Sequence, residues 1–183
     1  MSKSPKRYGL YSDIEINMTD MDSEQITILG IGCTLFADQG FGVSVIEALQ
    51  ARYEFPEQVA LVDGGLVGVG MTGTVARADH LIAIDVICNG GQPGDIYRLA
   101  GPHILERLDG KNHIQHVEFL EALAHCQALD DPPDTVLLGI EPGDTQSVVC
   151  ELSPELQGKL DEMIACILKE LERLNVGYRE KKF

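Results

Sequence analysis

The sequence predicts an α/β fold, a mostly parallel sheet with helices on both faces. Three observations carry this. Strand-like and helix-like segments alternate from residue 26 to about residue 171. An apolar run, Ile26 to Leu29, passes through a glycine turn, Gly30-Ile31-Gly32, toward a helix-like run from Val43 to Tyr53. Open α/β sheets build ligand sites at their carboxyl edge in this way. The run Leu81-Ile82-Ala83-Ile84, ahead of Asp85, is entirely apolar, as expected of a strand covered on both faces.

The elements follow in order. Ile26–Ile31 is the first strand, and Phe41–Arg52 is a helix with Val45, Ile46 and Leu49 at helical spacing. Val59–Val62 is a strand that ends at Asp63-Gly64-Gly65. Val69–Ala78 reads as a short helix, weakened by Gly70, Gly73 and two threonines. Leu81–Asp85 is the next strand, Cys88 to Gly94 a glycine-rich loop, and Asp95–Leu99 another strand. Pro102–Leu108 reads as a short helix, His116–Leu129 as a longer one, and Thr135–Ile140 as a strand. The last helix has Ser153 as N-cap, Pro154 in its first turn and Glu155 at its positive end. Leu156, Leu160, Met163, Ile164, Ile167, Leu168 and Leu171 form its apolar stripe, with Gly177 just beyond its end.

At 183 residues the chain is long enough to bury one sizeable core. Residues 1–24 are polar and aperiodic and read as a mobile N-terminal extension, with a short ordered patch expected at Tyr8 to Ile16. Residues 25–176 form the domain, and 177–183 are a basic C-terminal tail. Net charge is -15, from 29 acidic and 14 basic residues. Nucleic acid is therefore not an expected partner, because phosphate binding needs clustered cations. The absence of Trp argues the same way, since base stacking needs exposed aromatics. An acidic surface is repelled by anionic membranes but steers a basic protein partner. No apolar run approaches spanning length, so no membrane insertion is expected. The five cysteines, Cys33, Cys88, Cys126, Cys150 and Cys166, are odd in number and include no C-x-x-C pair. That usage points to a reducing compartment and a cytoplasmic location.

Several side chains carry candidate chemistry. The Gly30-x-Gly32 turn and Asp63 at a strand end suggest dinucleotide binding, but Leu35 stands where the third glycine of that fingerprint belongs. Asp38 sits at the mouth of the first helix, either as an N-cap or as a functional acid. Cys33 has no flanking His, Lys or Arg and reads as a small buried residue. Asp85 ends the most apolar strand. It is either a metal ligand or active-site group, or it accepts backbone N–H groups of the following loop. His113 and His116 are spaced to share a helix face; His113 reads as a surface residue. His80, His103 and His125 read as structural.

In their order and spacing these segments resemble the hydrogenase maturation endopeptidases. The resemblance spans about residues 26–175 and rests on Gly30-x-Gly32 and Ala37-Asp38-Gln39-Gly40-Phe41-Gly42-Val43. It continues through Val62-Asp63-Gly64-Gly65, Asp79-His80-Leu81-Ile82 with Asp85, and Gly91-x-Pro93-Gly94. A helix opening with His116 and the segment Leu138-Gly139-Ile140-Glu141-Pro142 complete it.

The resemblance implies a three-layer α/β fold with a twisted, mostly parallel five-stranded sheet. It implies a metal-dependent endopeptidase that removes the C-terminal peptide of a [NiFe]-hydrogenase large-subunit precursor after nickel insertion. By the same likeness, Gln39, Asp85 and His116 contact the metal, and Asp38, Asp85 and His116 are catalytic. Asp63, Gly64 and Gly65 fall in a segment linked to substrate recognition. Nickel is expected to arrive with the substrate, a surrogate divalent cation can take its place in the isolated protein, and the chain is expected to be a monomer. The sequence departs from the family pattern at Gln39, where Glu is usual, at Cys33 in place of Asn, and at Ile114-Gln115 in place of a serine-containing pair. Gln offers a neutral amide oxygen and no charge, so weaker binding of a free cation is expected, with Gln39→Glu raising it. The alternative is a non-catalytic module that binds the nickel-loaded large subunit; a peptidase of related fold with another substrate is a third reading.

Overall fold

The computed structural model describes residues 23–65, 70–101, 104, 113–114, 117–129 and 131–182. Five strands form the main sheet: β1 (Ile26–Ile31), β3 (Val59–Gly65), β4 (His80–Cys88), β5 (Ile96–Ala100) and β7 (Asp134–Ile140). Their order is β3-β1-β4-β7-β5. β3, β1, β4 and β7 are mutually parallel, and β5 runs antiparallel to β7 at the edge. A short strand, β6 (His113–Ile114), pairs antiparallel with the end of β4, placing His113 opposite Cys88. The expected mostly parallel five-stranded sheet is therefore present.

Helices cover both faces. α1 (Phe41–Arg52) and α5 (Leu160–Arg173) bury Phe41, Val45, Ile46, Leu49, Met163, Ile164 and Ile167 against Ile28, Ile82, Ile84 and Val86. α2 (Met71–Val75) and α3 (Val117–Ala128) bury Met71, Val75, Phe119, Ala122 and Leu123 against Leu29, Ile31, Leu81, Ala83 and Ile87. Strand alternation explains the split: even positions of β4 face α1 and α5, odd ones face α2 and α3. Asp85, an odd position, belongs to the second face.

α1 lies unusually close to the sheet, and Gly42 permits it. A Cβ there would meet the carbonyl oxygens of Ile31 and Ile84 at 2.3 and 2.6 Å. The start of α1 is thereby pressed onto the end of β1 and onto β4 at Ile84, one residue before Asp85.

Several boundaries differ from the sequence expectation: β3 runs on to Gly65, α2 is shorter than Val69–Ala78, and three further differences have a clear cause. β4 does not stop at Asp85 but runs three residues further, because Asp85 and Val86 pair with Gly139 and Ile140 of β7 and hold the chain extended. The last helix is broken: Ser153 caps α4 (Pro154–Gln157), accepting from the Leu156 N–H at 3.4 Å, and a new helix starts at Leu160 after Gly158. The C-terminal stop is Asn175, left-handed at φ 56°, rather than Gly177. The Val176 N–H returns to Leu171 at 2.9 Å and the Asn175 N–H to Glu172 at 3.0 Å, which closes the helix end. The tail also has a place: β8 (Arg179–Glu180) pairs with β2 (Tyr53–Glu54) beside the aromatic group of Tyr53, Phe55 and Tyr178. The expectations for Tyr8–Ile16 and most of Pro102–Leu108 lie outside the described residues.

One buried charge ties α5 to the edge strand. Glu170 is 6% exposed and accepts from Arg98 Nε and Nη2 at 2.8 and 2.9 Å, with Arg173 as a further partner. The Arg98 hydrogen bond, aided by Arg173, holds the Glu170 carboxyl below its ordinary range. A depressed carboxylate contributes stability above its unfolded pKa and loses it as pH falls through the folded value. Glu170→Gln should therefore cost about 2 kcal/mol at pH 7, less than a fully buried pair because both arginines reach water. The cost should shrink as pH falls below about 4.5, measured by urea unfolding at several pH values. A penalty that stays constant with pH would exclude the ion pair as its source.

Candidate active site

Four chain segments leave the sheet at its carboxyl edge: 32–40 after β1, the chain beyond Gly65 after β3, 89–95 after β4 and 141–153 after β7. The first is a tight reversal. Gly32 holds φ 144°, where a Cβ would lie 1.9 Å from the Gln39 carbonyl oxygen. The Cys33 N–H donates to that same oxygen at 3.1 Å, and Cys33 is buried, as a small core residue would be. The turn ends in a short 3-10 helix, Ala37–Gly40, that leads straight into α1 and packs against β4.

Asp38 does not cap α1. It is fully buried, and its carboxylate crosses to the last loop. Oδ2 accepts from the Gly143 and Asp144 N–H groups, both at 2.8 Å, and Oδ1 from the Ser153 N–H at 2.7 Å. The neighbouring backbone follows: the Asp38 N–H donates to Asp144 at 3.0 Å and the Ala37 N–H to Val149 at 2.8 Å. Gln39 completes the clasp, its Nε2 donating to the Thr145 carbonyl at 2.7 Å. A carbonyl accepts only from the NH₂ end of the amide, so the Gln39 orientation is fixed and Oε1 is turned away from Thr145. The loop is also turned locally: Asp144 Oδ1 accepts from the Gln146 and Ser147 N–H groups, both at 3.0 Å.

Asp85 is fully buried, and its Oδ1 accepts from the Val86 N–H at 2.7 Å. It lies on the sheet face covered by α2 and α3. The described part of α3 starts at Val117, directly after position 116. His116 itself lies outside the described residues. Asp63 is exposed and closes an Asx turn, Oδ1 accepting from the Gly65 N–H at 2.9 Å. Gly64 is the extra residue of a bulge, since Gly30 pairs with Asp63 and Ile31 with Gly65. The strand of the expected recognition segment thus kinks at the edge of the site.

Glu141, which in the sequence stands only as part of the Leu138–Pro142 motif, organises the third of these segments. It is buried, and its Oε2 accepts from the Asn89 N–H and the Tyr97 hydroxyl, both at 2.9 Å. Its Oε1 accepts from the Gly90 N–H at 3.2 Å. Burial, then the bond to Glu141, pushes the Tyr97 hydroxyl above its ordinary range. The signal that could have found Glu141 is an acid at a strand end beside a proline, with a glycine-rich loop after the neighbouring strand. Asp38 and Glu141 are thus two buried acids that each satisfy backbone donors of a loop.

As donors, Asp85 and the Gln39 Oε1 are oxygens suited to a hard or borderline cation. Among the described residues, no group of three or more His, Cys, Asp or Glu side chains is spaced to hold a metal ion. A cation here would need further ligands from elsewhere.

A buried acid under a glycine turn at the carboxyl edge of a three-layer sheet defines the class, an α/β protein with an edge site. The structure of the hydrogenase maturating endopeptidase HybD from E. coli has this fold at a TM-score of 0.79, with 26% identity, covering 86% of this chain and 98% of that one. A family model for hydrogenase maturation protease matches residues 43–170. The hydrogenase expression/formation protein HupD of Thiocapsa roseopersicina is 32% identical over 160 residues, 86% of this chain and 72% of its own length. The hydrogenase 2 maturation protease of Escherichia coli K12 is 26% identical over 154 residues, covering 83% of this chain and 93% of that protein. This chain belongs to the hydrogenase maturation protease family. Among the described residues no helix is long and apolar enough to cross a membrane.

The clasp makes a direct prediction. Asp38→Ala strands three backbone donors at one stroke, so it should destabilise the protein by about 3 kcal/mol or more. Urea unfolding of the variant measures it. A loss below about 0.5 kcal/mol, the level of an ordinary surface change, would show that the carboxylate does not hold the loop.

Proposed function

We propose that this chain cleaves the C-terminal peptide from a [NiFe]-hydrogenase large-subunit precursor once nickel is in place, the nickel arriving with the substrate. Family membership supports the class of reaction. The observation that carries the site is Asp85: a carboxylate fully buried toward the carboxyl end of β4, the strand against which the turn that bears Gln39 packs. In this reading Asp85, the Gln39 Oε1 and His116 meet the substrate's metal. A carboxylate, an amide and an imidazole suit a borderline cation whose thiolate ligands come from elsewhere. When bound, the metal supplies Lewis acidity and registers the two proteins. Asp38 acts through the loop it clasps, and Asp63, Gly64 and Gly65 border the substrate path.

The test is incubation of the purified protein with nickel-loaded precursor and mass spectrometry for the released C-terminal fragment. Asp85→Asn, nearly isosteric, should keep the fold by circular dichroism and lower cleavage by about a hundredfold or more. Cleavage at the wild-type rate in that variant would remove Asp85 from the reaction. A complex that forms without any fragment would instead support the non-catalytic module.

Gln39 yields a second expectation. Glutamate at this position places a carboxylate oxygen against the Thr145 carbonyl, so Gln39→Glu should cost about 1–2 kcal/mol in the absence of metal. A divalent cation neutralises the added charge, so nickel should raise the melting temperature of the variant more than that of the wild type. Equal melting temperatures without metal and equal shifts with it would mean that neither the clasp nor the metal involves this side chain.

A further inference from the structure

The described residues include five large hydrophobic side chains left exposed, and four of them belong to the two clasped loops: Leu35, Phe36, Val148 and Val149. Leu35 is 56% and Val148 75% exposed. The pairs are not drawn together by mutual burial. They are joined through the backbone, where the Ala37 N–H donates to the Val149 carbonyl at 2.8 Å. Ala37 holds φ 40°, a left-handed conformation that disfavours any residue with a side chain. The clasp maintains that strain on an apolar patch beside Gln39. A contiguous exposed patch with a polar border marks an interaction surface.

The two segments that bear these side chains carry charge of one sign. Neither residues 24–51 nor residues 141–158 contain a Lys or Arg, whereas Asp144, Glu151 and Glu155 lie on the second of these segments. Glu151 and Glu155 are exposed. The two segments therefore expose apolar side chains together with acidic and no basic ones, and the first of them carries Gln39. Their complement is a protein segment with apolar side chains flanked by basic ones.

We infer that Leu35, Phe36, Val148 and Val149 form the docking surface for the large-subunit precursor, which meets it through an apolar segment flanked by Lys or Arg. This rests on the proposed processing of that precursor. The patch supplies affinity and register, and the chemistry stays with Asp85. Because Asp38 and Gln39 hold both loops, the surface is preformed and loses little freedom on binding.

The experiment measures binding of purified large-subunit precursor, with its C-terminal extension intact, by calorimetry, alongside cleavage kinetics. The double variant Phe36→Ser with Val148→Ser removes two exposed side chains and should fold normally. It should raise Kd and KM about tenfold or more and leave kcat unchanged. Leu129→Ser, the fifth exposed hydrophobic residue, follows α3 at the opposite edge of the sheet and should change neither. Raising the salt concentration should weaken binding by wild type and double variant alike, since the acidic side chains are intact in both. An unchanged Kd in the double variant overturns the proposal. So does a wild-type dimer that the double variant converts to monomer, because a second copy then covers the patch. Binding that depends on the patch but yields no fragment supports the surface while sinking the processing reading. Cleavage that ignores the double substitution does the reverse. A wild-type protein that does not bind the precursor overturns both.

Discussion

The edge of this protein depends on one buried carboxylate. Asp38 takes three backbone N–H groups from a loop more than a hundred residues away. Burying a carboxylate without partners is prohibitive, and burying backbone donors without acceptors is nearly as poor. Each problem solves the other. The loop from Glu141 to Ser153 has no strand or helix of its own, so its placement relies on Asp38, with Gln39 and Ala37 extending the contact. The apolar patch, the fixed amide of Gln39 and the cap of α4 at Ser153 all follow from that contact.

The sheet supplies the rigid half. Gly42 lets α1 touch the end of β1 and the Ile84 carbonyl of β4, so the turn of Asp38 and Gln39 is seated on the strand that carries Asp85. Positioning residues on packed strands and helix starts is more precise than positioning them on free loops. Glu141 repeats the Asp38 solution on the neighbouring loop, through Asn89, Gly90 and Tyr97. Backbone donors that would otherwise need water are satisfied by these two buried acids.

Much of the sheet was legible because its signals are local. Apolar runs at 26–31, 81–84 and 135–140 marked β1, β4 and β7, and Ser153-Pro154-Glu155 marked a helix start that the structure retains. Ranges failed where the deciding contact was distant. β4 continues past Asp85 because β7 lies beside it; the apolar run Val86-Ile87-Cys88, with two β-branched residues, also favours a strand, but the carboxylate at 85 reads as its end until that pairing is seen. The tail strand β8 exists only because β2 offers an edge. Asp38 was visible as an acid at a helix mouth, but its partners are main-chain groups, which carry no sequence signature. Glu141 was missed as an organiser for the same reason. Asp85 was legible as a costly acid in an apolar strand, whereas its relation to His116 falls outside the described residues.

Amide hydrogen exchange tests the clasp most directly. If Asp38 holds the loop, the amides of Gly143, Asp144 and Ser153 in the wild-type protein exchange only through opening of the domain, at rates near those of the core amides of β1. Their protection should vanish in Asp38→Ser while β1 amides stay slow under conditions that keep the variant folded. Exchange of those three amides at free-loop rates in the wild type would contradict the account.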